Sequence, residues 1–283
     1  MSAAPAITRP DLGSEHLRRI GAYVEARSAI QCPPDKQYLF ESRLRHVLRD
    51  FGLANLQELS TRLNLSASSL LGDAVVEAMT TNETSWFRDI HPFEAMREGI
   101  IPELIEARAK DRRLQIWSAA CSTGQEVYSL AMMLDLQFPQ LASWNVALRG
   151  TDLSEEVLRH ARSGRYSALE VNRGLPAQYL AKYMSRDGAS YLVSEGIRRR
   201  TTFEKLNLIT PMVQRSSYDL VLCRNVLIYF DAETRDRVVR RLRDSLVPGG
   251  YLMLGSSEIS LGNVEGFTRR VFGRTTVYRK DQR

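Results

Sequence analysis

The sequence predicts an α/β fold, in which a doubly wound parallel sheet follows a small all-α domain and is interrupted by a small antiparallel β insertion. Residues 10–79 show helical periodicity and no strand pattern. From about residue 91, short apolar strands alternate with helices, an order typical of parallel sheets. Over about 165–206 this rhythm breaks, with β-like pieces around Gly188 and Gly196. We therefore expect a helical domain at 1–79, a linker at 80–90 and a sheet domain at 91–283.

The composition is that of an ordinary globular chain of 283 residues, with 43% hydrophobic and 25% charged residues. A net charge of +6 and a pI of about 9.3 suit an acidic partner, whether nucleic acid, a membrane surface or a protein. Cys32, Cys121 and Cys223 are too widely spaced for a metal site or a disulfide framework, so we expect no metal and a reducing compartment. Residues 1–10 contain no signal core and no apolar run reaches about 18 residues, which predicts a cytoplasmic protein.

Four helices are predicted in the helical domain, at about 12–30, 35–51, 55–64 and 66–79. The first places Leu17, Ile20 and Val24 on one face, and Pro33-Pro34 separates it from the second. The apolar face of the second helix consists of Leu44, Val47, Leu48 and Phe51.

The second helix also carries a basic face. Arg45 and Arg49 lie one turn apart, away from its apolar residues, with Arg43 close by. Arg18 and Arg19 of the first helix add to this charge. The pattern fits docking onto an acidic partner and fits a solvated helix face equally well.

The stretch "TTNETSWFRD", residues 80–89, fits neither an amphipathic helix nor an alternating strand. Small polar residues come first, and Trp86, Phe87 and Arg88 follow. We interpret the stretch as the join between helical domain and sheet. One aromatic ring would pack in the seam and the other would border a ligand pocket.

The sheet domain is predicted to begin with a helix at about 91–109 and to end with a hairpin at about 266–279. Between them, the predicted strands are "RLQIWSAA", "NVALRGTDLS", "YDLVLCRN" and "YLMLGSSE", and the predicted helices are "VYSLAMMLDLQF", "EEVLRHARSG" and "AETRDRVVRRLRDSLVPGG". In open parallel sheets, ligands bind at the carboxyl ends of the strands.

The segments that follow three of these strands suit a nucleotide-like ligand. Gly124 lies in the first strand-to-helix turn, where a glycine lets the backbone approach a ligand. The GxGxxG motif is absent, which weakens the hypothesis of a dinucleotide ligand. A plain polar turn fits the segment equally well. Asp152 ends the second strand and could hold ribose hydroxyls, or cap the next helix, a role that Ser154 could also fill. Asn225 after "YDLVLC" is a ligand contact or a buried structural asparagine, and the nearby Tyr229 could be a core aromatic.

The segment "SLVPGGYLMLGSSE" is similar to the fifth-strand turn of class I S-adenosylmethionine methyltransferases. With "TTNETSWFRD", "WSAACSTGQEVYSLAM", "GTDLS" and "CRNVLIYF", in this order, the sequence resembles the chemotaxis receptor methyltransferases (CheR) over nearly its whole length. The resemblance implies the class I doubly wound sheet and methyl transfer from S-adenosylmethionine to receptor glutamates. The products would be glutamate methyl esters and S-adenosylhomocysteine.

The resemblance also implies a cofactor pocket, to which the 80–90 linker contributes, formed by Asn82, Thr84, Arg88, Glu126, Asp152, Asn207, Leu208, Arg224, Asn225 and Val226. Asp152 would take the ribose, and Asn207 and Leu208 would frame the adenine. Arg88, near the methionine end, and Tyr229, near the sulfonium, are the implied catalytic residues. Arg88 could instead be a surface or helix-capping arginine paired with Asp89. Many members have Glu where Gln125 stands, a change of small expected effect because Glu126 remains.

The acceptor carboxylate would be ionised at neutral pH, so the reaction needs no general base, and the four histidines lie outside the site motifs. The implied partners are the cytoplasmic signalling domains of chemoreceptors, which Arg43, Arg45 and Arg49 would contact. Some members bind a receptor tail by pairing it with a strand of the β insertion. Here "SRDGASYLV" is short, so we expect weak or absent binding of a receptor C-terminal peptide.

Two other functions are compatible with such a cofactor site. One is a methyltransferase for nucleic acid or a small molecule, but the "NPPY/DPPY" and Pro-Cys motifs of base methylation are missing, so we expect no nucleic-acid partner. The other is a non-catalytic cofactor-binding regulator, which the full set of implied site residues argues against.

Overall fold

The computed structural model describes residues 12–65, 69–211, 216–258 and 265–282. The chain folds into two compact units, Met1–Thr81 and Asn82–Arg283. Among the described residues, no helix is both long and apolar enough to cross a membrane.

The first unit, here the helical unit, contains α1 (Leu12–Ser28), α2 (Gln37–Asp50), α3 (Leu56–Leu65) and α4 (Leu70–Ala78). The predicted faces of the first two helices form its core, since Leu17, Ile20, Val24, Leu44 and Val47 are all buried. The predicted start of the fourth helix at residue 66 lies outside the described residues. As described, this helix begins after Ser69, whose hydroxyl accepts the Gly72 N–H at 3.1 Å and caps its first turn.

The second unit, here the sheet unit, contains the strands β1 (Arg113–Ala119), β2 (Asn145–Asp152), β3 (Arg165–Ser167), β4 (Met184–Asp187), β5 (Ser190–Val193), β6 (Thr201–Lys205), β7 (Tyr218–Cys223), β8 (Leu246–Leu254), β9 (Phe267–Phe272) and β10 (Thr275–Lys280). Its helices are α5 (His91–Ala95), α6 (Ile101–Ala107), α7 (Gln125–Gln137), α8 (Glu155–Ser163), α9 (Ala168–Asn172), α10 (Ala177–Tyr183), α11 (Glu195–Arg198) and α12 (Ala232–Ser245). A π-helical turn, Met96–Ile100, joins α5 to α6.

The main sheet of the described chain has seven strands in the order β6-β2-β1-β7-β8-β10-β9. The first five are parallel, and β10 and β9 extend the sheet as an antiparallel hairpin. Every residue of β7 is buried, as expected for a central strand covered by helices on both faces. The predicted α/β class with an all-α unit before it is therefore confirmed.

The β insertion is a three-stranded antiparallel sheet in the order β3-β5-β4. The predicted range, 165–206, is too long because β6 pairs with β2 of the main sheet, from Leu148↔Thr201 to Asp152↔Lys205. β6 is an edge strand in which only Phe203 is buried. An edge strand with one buried residue has the same polar pattern as a strand of a small exposed sheet. The sequence pattern therefore did not distinguish β6 from a strand of the insertion.

The turn before the fifth parallel strand belongs to the strand itself. β8 begins at Leu246, opposite Tyr218, and its next pairing joins Tyr251 to Leu220. The Pro-Gly-Gly segment between these pairs bulges out of the ladder, because proline has no N–H to donate to a neighbouring strand. The predicted strand "YLMLGSSE" is thus extended at its start, and its end forms a 3-10 turn, Ser256–Glu258.

Trp86 and Phe87 pack within the sheet unit. Trp86 is fully buried and meets Tyr166 edge to face, with ring centroids 4.9 Å apart. Phe87 contacts Tyr179 at 4.6 Å and Phe93 at 4.9 Å between centroids. The contacts described for both rings lie within the sheet unit, so the packing of one ring in the seam to the helical domain stays a prediction.

Candidate active site at the carboxyl ends of the parallel strands

The carboxyl ends of the five parallel strands meet at one edge of the main sheet. The chain runs from β1 outward through β2 to β6 and then returns on the other side of β1 as β7 and β8. The connections therefore change direction between β1 and β7, which is where ligands bind in open α/β sheets. The ends of these strands, the loops after them and the first turn of α7 carry most of the predicted pocket residues, Glu126, Asp152, Asn207, Leu208, Arg224, Asn225 and Val226.

The loop after β1 is tightly curved and requires glycine at one position. Ala120, Ser122 and Gly124 all have positive φ, at 64°, 50° and 91°. A Cβ on Gly124 would lie 2.9 Å from the Cβ of Ala161. Any larger residue would therefore clash with Ala161, and its backbone would be strained by the positive φ. The Tyr166 hydroxyl donates to the Thr123 carbonyl at 2.6 Å and fixes the loop from below.

Asp152 joins the ends of the first two strands. Its Oδ2 accepts the Ser122 N–H at 2.8 Å and its Oδ1 accepts the Ser154 N–H at 3.1 Å. Ser154 is the residue that caps α8, since its hydroxyl accepts the Val157 N–H at 3.3 Å. The alternative that Asp152 serves as the helix cap is therefore excluded, and its carboxylate is buried at the carboxyl end of β2.

A buried arginine connects three segments of the site, and we call this group the arginine bridge. Arg224 donates to Glu126 at 2.8 Å, to Asp89 at 2.7 Å and to the Arg88 carbonyl at 3.0 Å. The side chains of Arg224, Glu126 and Asp89 are 2%, 12% and 39% exposed. Glu126 is further held by the Ser118 hydroxyl at 2.8 Å.

The hydrogen bonds of the arginine bridge also test the alternative role of Arg88, an ion pair with Asp89. Asp89 pairs with Arg224, and the Arg88 guanidinium instead donates to the Glu83 carbonyl at 2.8 Å. Arg88 is half-buried, like the predicted pocket residues Asn82 and Thr84. A surface ion pair between Arg88 and Asp89 is therefore excluded.

Residues 82–90 are held against the rest of the sheet unit by several further hydrogen bonds. The Ser122 hydroxyl donates to the Asn82 carbonyl at 2.7 Å, which joins this segment to the loop after β1. The Phe87 N–H donates to the Ser129 hydroxyl at 3.1 Å. The Trp86 N–H donates to the Arg173 carbonyl at 3.1 Å.

The same segment stores backbone strain. Phe87, Asp89 and Ile90 have φ values of 47°, 70° and 52°. At Ile90, ψ is −58° and the His91 N–H bonds back to the Asp89 carbonyl, which makes a γ-turn, a conformation that β-branched residues rarely adopt. Strain of this kind persists only where the surrounding contacts impose it, and it is common at functional sites.

The loop after β7 presents Asn225, Val226 and Tyr229. Asn225 has φ of 61°, and its buried Oδ1 has no hydrogen-bond partner among the described residues. Val226 and Tyr229 are half-buried; Val226 precedes the 3-10 turn Leu227–Tyr229, and Tyr229 ends it. The loop backbone bonds to Glu258, a residue that the sequence reading missed. Its only signal was an acidic residue close after a buried apolar strand.

Asn207 and Leu208 follow β6 and form a turn. The Asn207 Oδ1 accepts the Ile209 N–H at 3.2 Å, and its carbonyl accepts the Thr210 N–H at 3.0 Å. The side chain of Leu208 is buried. Arg241 of α12 donates to the carbonyls of this turn, including that of Thr210 at 3.1 Å, and so fixes its shape.

Two cysteine thiols lie close to the site and are chemically quiet. Burial raises the pKa of the Cys121 thiol well above its usual value, with a smaller contribution from the carboxylate of Asp152. Burial likewise raises the pKa of Cys223, with Glu258 adding to the effect. Both groups are therefore protonated at neutral pH and are not competing nucleophiles.

Both units match models of one protein family. Residues 82–275 match "CheR methyltransferase, SAM binding domain", and residues 15–80 match "CheR methyltransferase, all-alpha domain". The predicted cofactor, S-adenosylmethionine, is thereby confirmed.

Relatives that match most of the chain are named chemotaxis protein methyltransferases. The chain is 42% identical over 241 residues to chemotaxis protein methyltransferase 1 of Pseudomonas aeruginosa, covering 83% of this chain and 87% of that protein. It is 38% identical over 250 residues to chemotaxis protein methyltransferase Cher2 of Pseudomonas putida, covering 87% and 90%. It is 36% identical over 265 residues to chemotaxis protein methyltransferase of Vibrio parahaemolyticus, covering 92% and 95%. The chain therefore belongs to the CheR family of S-adenosylmethionine-dependent protein-glutamate methyltransferases.

Proposed function

We propose that this enzyme methylates glutamate side chains on the cytoplasmic helices of chemoreceptors, and that the residues gathered at the carboxyl ends of its parallel strands carry out the transfer. The observation that best supports this proposal is that all the implied pocket residues lie in the sheet unit. Hydrogen bonds connect residues 82–90 to the loops that follow the parallel strands. This is also the unit that matches the S-adenosylmethionine-binding model. The proposed compartment is the cytoplasm, where receptor signalling domains lie.

Several side chains of the site have polar atoms suited to this cofactor. The unpaired Oδ1 of Asn225 can accept an N–H of the cofactor, and Asp152 can accept ribose hydroxyls beside its two backbone bonds. In the proposed pocket, Asn82, Thr84 and Arg88 line one wall, Asn207 and Leu208 frame the adenine, and Val226 adds an apolar surface.

Glu126 and Arg224 take a different part in the proposed site from the one that the resemblance implied. Both oxygens of Glu126 are occupied, one by the Ser118 hydroxyl and one by Arg224. The two terminal nitrogens of Arg224 donate hydrogen bonds to Glu126, Asp89 and the Arg88 carbonyl. We therefore assign these two residues to holding the pocket wall in shape.

The chemistry asks little of the protein beyond alignment. S-adenosylmethionine supplies an electrophilic methyl group, and a glutamate carboxylate, with a pKa of about 4.3, is already ionised at neutral pH. No general base is required, in keeping with His91, which is engaged by Glu94 at 2.9 Å. Arg88 would position the substrate or the cofactor carboxylate without holding the nucleophile tightly, and Tyr229 would border the reacting atoms.

A transfer assay tests this function directly. Labelled methyl from S-adenosylmethionine is offered to receptor cytoplasmic fragments, and the product is then treated with mild base. A glutamate methyl ester releases its label as methanol, whereas methyl groups on nitrogen or nucleic-acid bases stay bound. A base-stable product would favour a different substrate, and cofactor binding without any transfer would favour a regulator.

For receptor docking we propose Arg45 and Arg49 of α2, whose side chains are exposed. Arg43, the third residue of the predicted basic face, is committed within the helical unit. It donates to the Met79 carbonyl and, at 2.8 Å, to the Thr81 hydroxyl. We therefore remove Arg43 from the docking surface.

Charge reversal tests this surface. Replacing Arg45 and Arg49 together by Glu is expected to lower receptor methylation at least several-fold while cofactor affinity stays the same, because the acidic receptor helix is then repelled. Arg62→Glu, at another exposed arginine of the helical unit, is the matched control and should have little effect. Unchanged receptor turnover in the double variant would remove this surface from the proposal.

The β insertion is not proposed to bind a receptor tail strongly. Its hairpin connects β4 to β5 through only Gly188 and Ala189, with φ of 62° at Gly188. Such a tight turn offers little chain to wrap a peptide beyond edge pairing with β4. Micromolar affinity for a receptor C-terminal peptide in calorimetry would contradict this expectation.

A further inference from the structure

Glu258 is a buried carboxylate that connects two loops of the sheet unit. The residue is 6% exposed and ends the 3-10 turn after β8. Its Oε2 accepts the N–H groups of Asn225 at 2.7 Å and Gly255 at 2.8 Å. Its Oε1 accepts those of Leu227 at 2.6 Å and Ile228 at 3.3 Å. One side chain thus satisfies four backbone donors, three of them in the loop after β7.

The carboxylate lies close against Gly255, where a side chain would not fit. A Cβ on Gly255 would lie 2.6 Å from the Glu258 Oε2 and 2.9 Å from the Asn225 nitrogen. Asn225 itself is held with φ of 61°, a conformation that Asn tolerates but that costs free energy for most residues. The four bonds therefore fix both the position and the unusual backbone conformation of Asn225.

From this geometry we infer that Glu258 is a positioning residue for methyl transfer, setting the loop that presents Asn225 and Tyr229 to the cofactor. The inference rests on the proposed function in one respect, the assignment of Asn225 to the cofactor pocket. Glu258 itself acts through the backbone of residues 225–228 and is not a catalytic residue.

The full carboxylate is needed, because each oxygen accepts two N–H groups. In Glu258→Gln, one oxygen becomes an NH2 group, which places donors against two backbone donors. We expect the dissociation constant of S-adenosylmethionine to rise roughly tenfold or more, since bonds to a charged acceptor are lost in a buried place. The turnover number should fall as well, while the KM for the receptor fragment stays within about twofold because the helical unit is untouched.

Asp219 supplies the matched control. It is equally buried, and its carboxylate also accepts a backbone N–H, that of Gln115 at 2.8 Å, besides pairing with Arg108. Asp219 stands near the start of β7, about 13 Å along the strand from the loop at its end. Asp219→Asn should lower the melting temperature to a similar extent while leaving cofactor affinity and turnover per folded molecule unchanged.

A third variant separates this inference from the proposed function. Asn225→Gly removes the side chain while keeping the positive φ accessible. If it leaves cofactor affinity unchanged, the assignment of Asn225 to the pocket is wrong. If it weakens cofactor binding but Glu258→Gln does not, the positioning role is wrong and the pocket assignment stands.

Amide hydrogen exchange on the unmodified enzyme covers the case in which Glu258→Gln does not fold. The N–H groups of Asn225, Leu227 and Ile228 should exchange slowly although they lie in a loop. Glu258→Asp, which keeps the charge but shortens the side chain, should then show a smaller loss of cofactor affinity and faster exchange at these amides. Rapid exchange in the unmodified enzyme, or full affinity in Glu258→Asp together with faster exchange, would overturn the inference.

Discussion

Replacing Arg224 by Met should release residues 82–90 from the rest of the sheet unit and lower both stability and cofactor affinity. Arg224 is the buried centre of the arginine bridge, and methionine preserves much of its volume while removing its charge and its donors. The Glu126 carboxylate, Asp89 and the Arg88 carbonyl would each lose a donor.

The exposures of the two carboxylates set the expected magnitude. Glu126 is only 12% exposed, so leaving it without its partner should cost about 3 kcal/mol. Asp89 is 39% exposed, so water screens it and its share should stay below about 1 kcal/mol. Together these give a loss of about 3–4 kcal/mol in the free energy of unfolding for Arg224→Met. Arg224→Lys should lose less, because a single ammonium can still reach one carboxylate.

Urea denaturation and calorimetric titration with S-adenosylmethionine measure the two effects. Arg108→Met is the matched control, since Arg108 pairs at 2.6 Å with the buried Asp219 at the other end of β7. Both variants should lose stability, but only Arg224→Met should bind the cofactor at least tenfold more weakly. Double-mutant cycles should give a larger coupling energy for Arg224 with Glu126 than for Arg224 with Asp89.

Two results would refute this reasoning. Cofactor affinity within twofold of the unmodified enzyme in Arg224→Met would mean that the bridge does not shape the pocket. A coupling energy with Asp89 that equals or exceeds the one with Glu126 would mean that burial does not decide the strength of the two ion pairs.

Three further predictions concern Arg88, Ile90 and Cys32. Arg88→Ala should reduce methyl transfer at least tenfold in an activity assay. It should lower the unfolding free energy in urea by no more than about 1 kcal/mol, because it removes one half-exposed hydrogen bond. A loss of stability as large as the loss of transition-state stabilisation would contradict this prediction. Ile90→Gly should raise the unfolding free energy by about 1 kcal/mol because it relieves the γ-turn, whereas Val271→Gly, at an equally exposed β-branched residue in β9, should lower it. Burial raises the pKa of Cys32 from 9.0 to about 11. Its reaction with a disulfide reagent at pH 8 should therefore be roughly a hundredfold slower than that of a free thiol, and the rate should increase as the pH rises towards 11. Fast labelling of the folded protein at pH 8 would contradict this prediction.

Most helices and central strands could be predicted from the sequence because burial imposes a period on it. The apolar face of α2, with Leu44 and Val47, follows the helical repeat, and the continuous apolar run of β7 indicates a strand covered on both sides. Edge strands carry a weaker signal. β6 buries only Phe203, and for that reason it was assigned to the wrong sheet.

The polar contacts of the site could not be predicted in the same way, because they join residues far apart in the chain. Nothing local to Arg224 indicates that it will meet both Asp89 and Glu126. Likewise Arg43 occupies the predicted basic helix, yet its guanidinium reaches the end of the helical unit at Thr81. Periodicity gives the side of a helix on which a residue lies, but the length of an arginine lets it bind well beyond that side.

The boundary between Thr81 and Asn82 has an evolutionary consequence. The hydrogen bonds described here for Arg43 end at or before Thr81, and those described for Asn82 onward stay within the sheet unit. Recombination at this peptide bond would exchange one helical unit for another without cutting through any of those bonds. If receptors dock on α2 as proposed, shuffling of the helical unit would alter receptor recognition and leave the proposed cofactor pocket in the sheet unit unchanged.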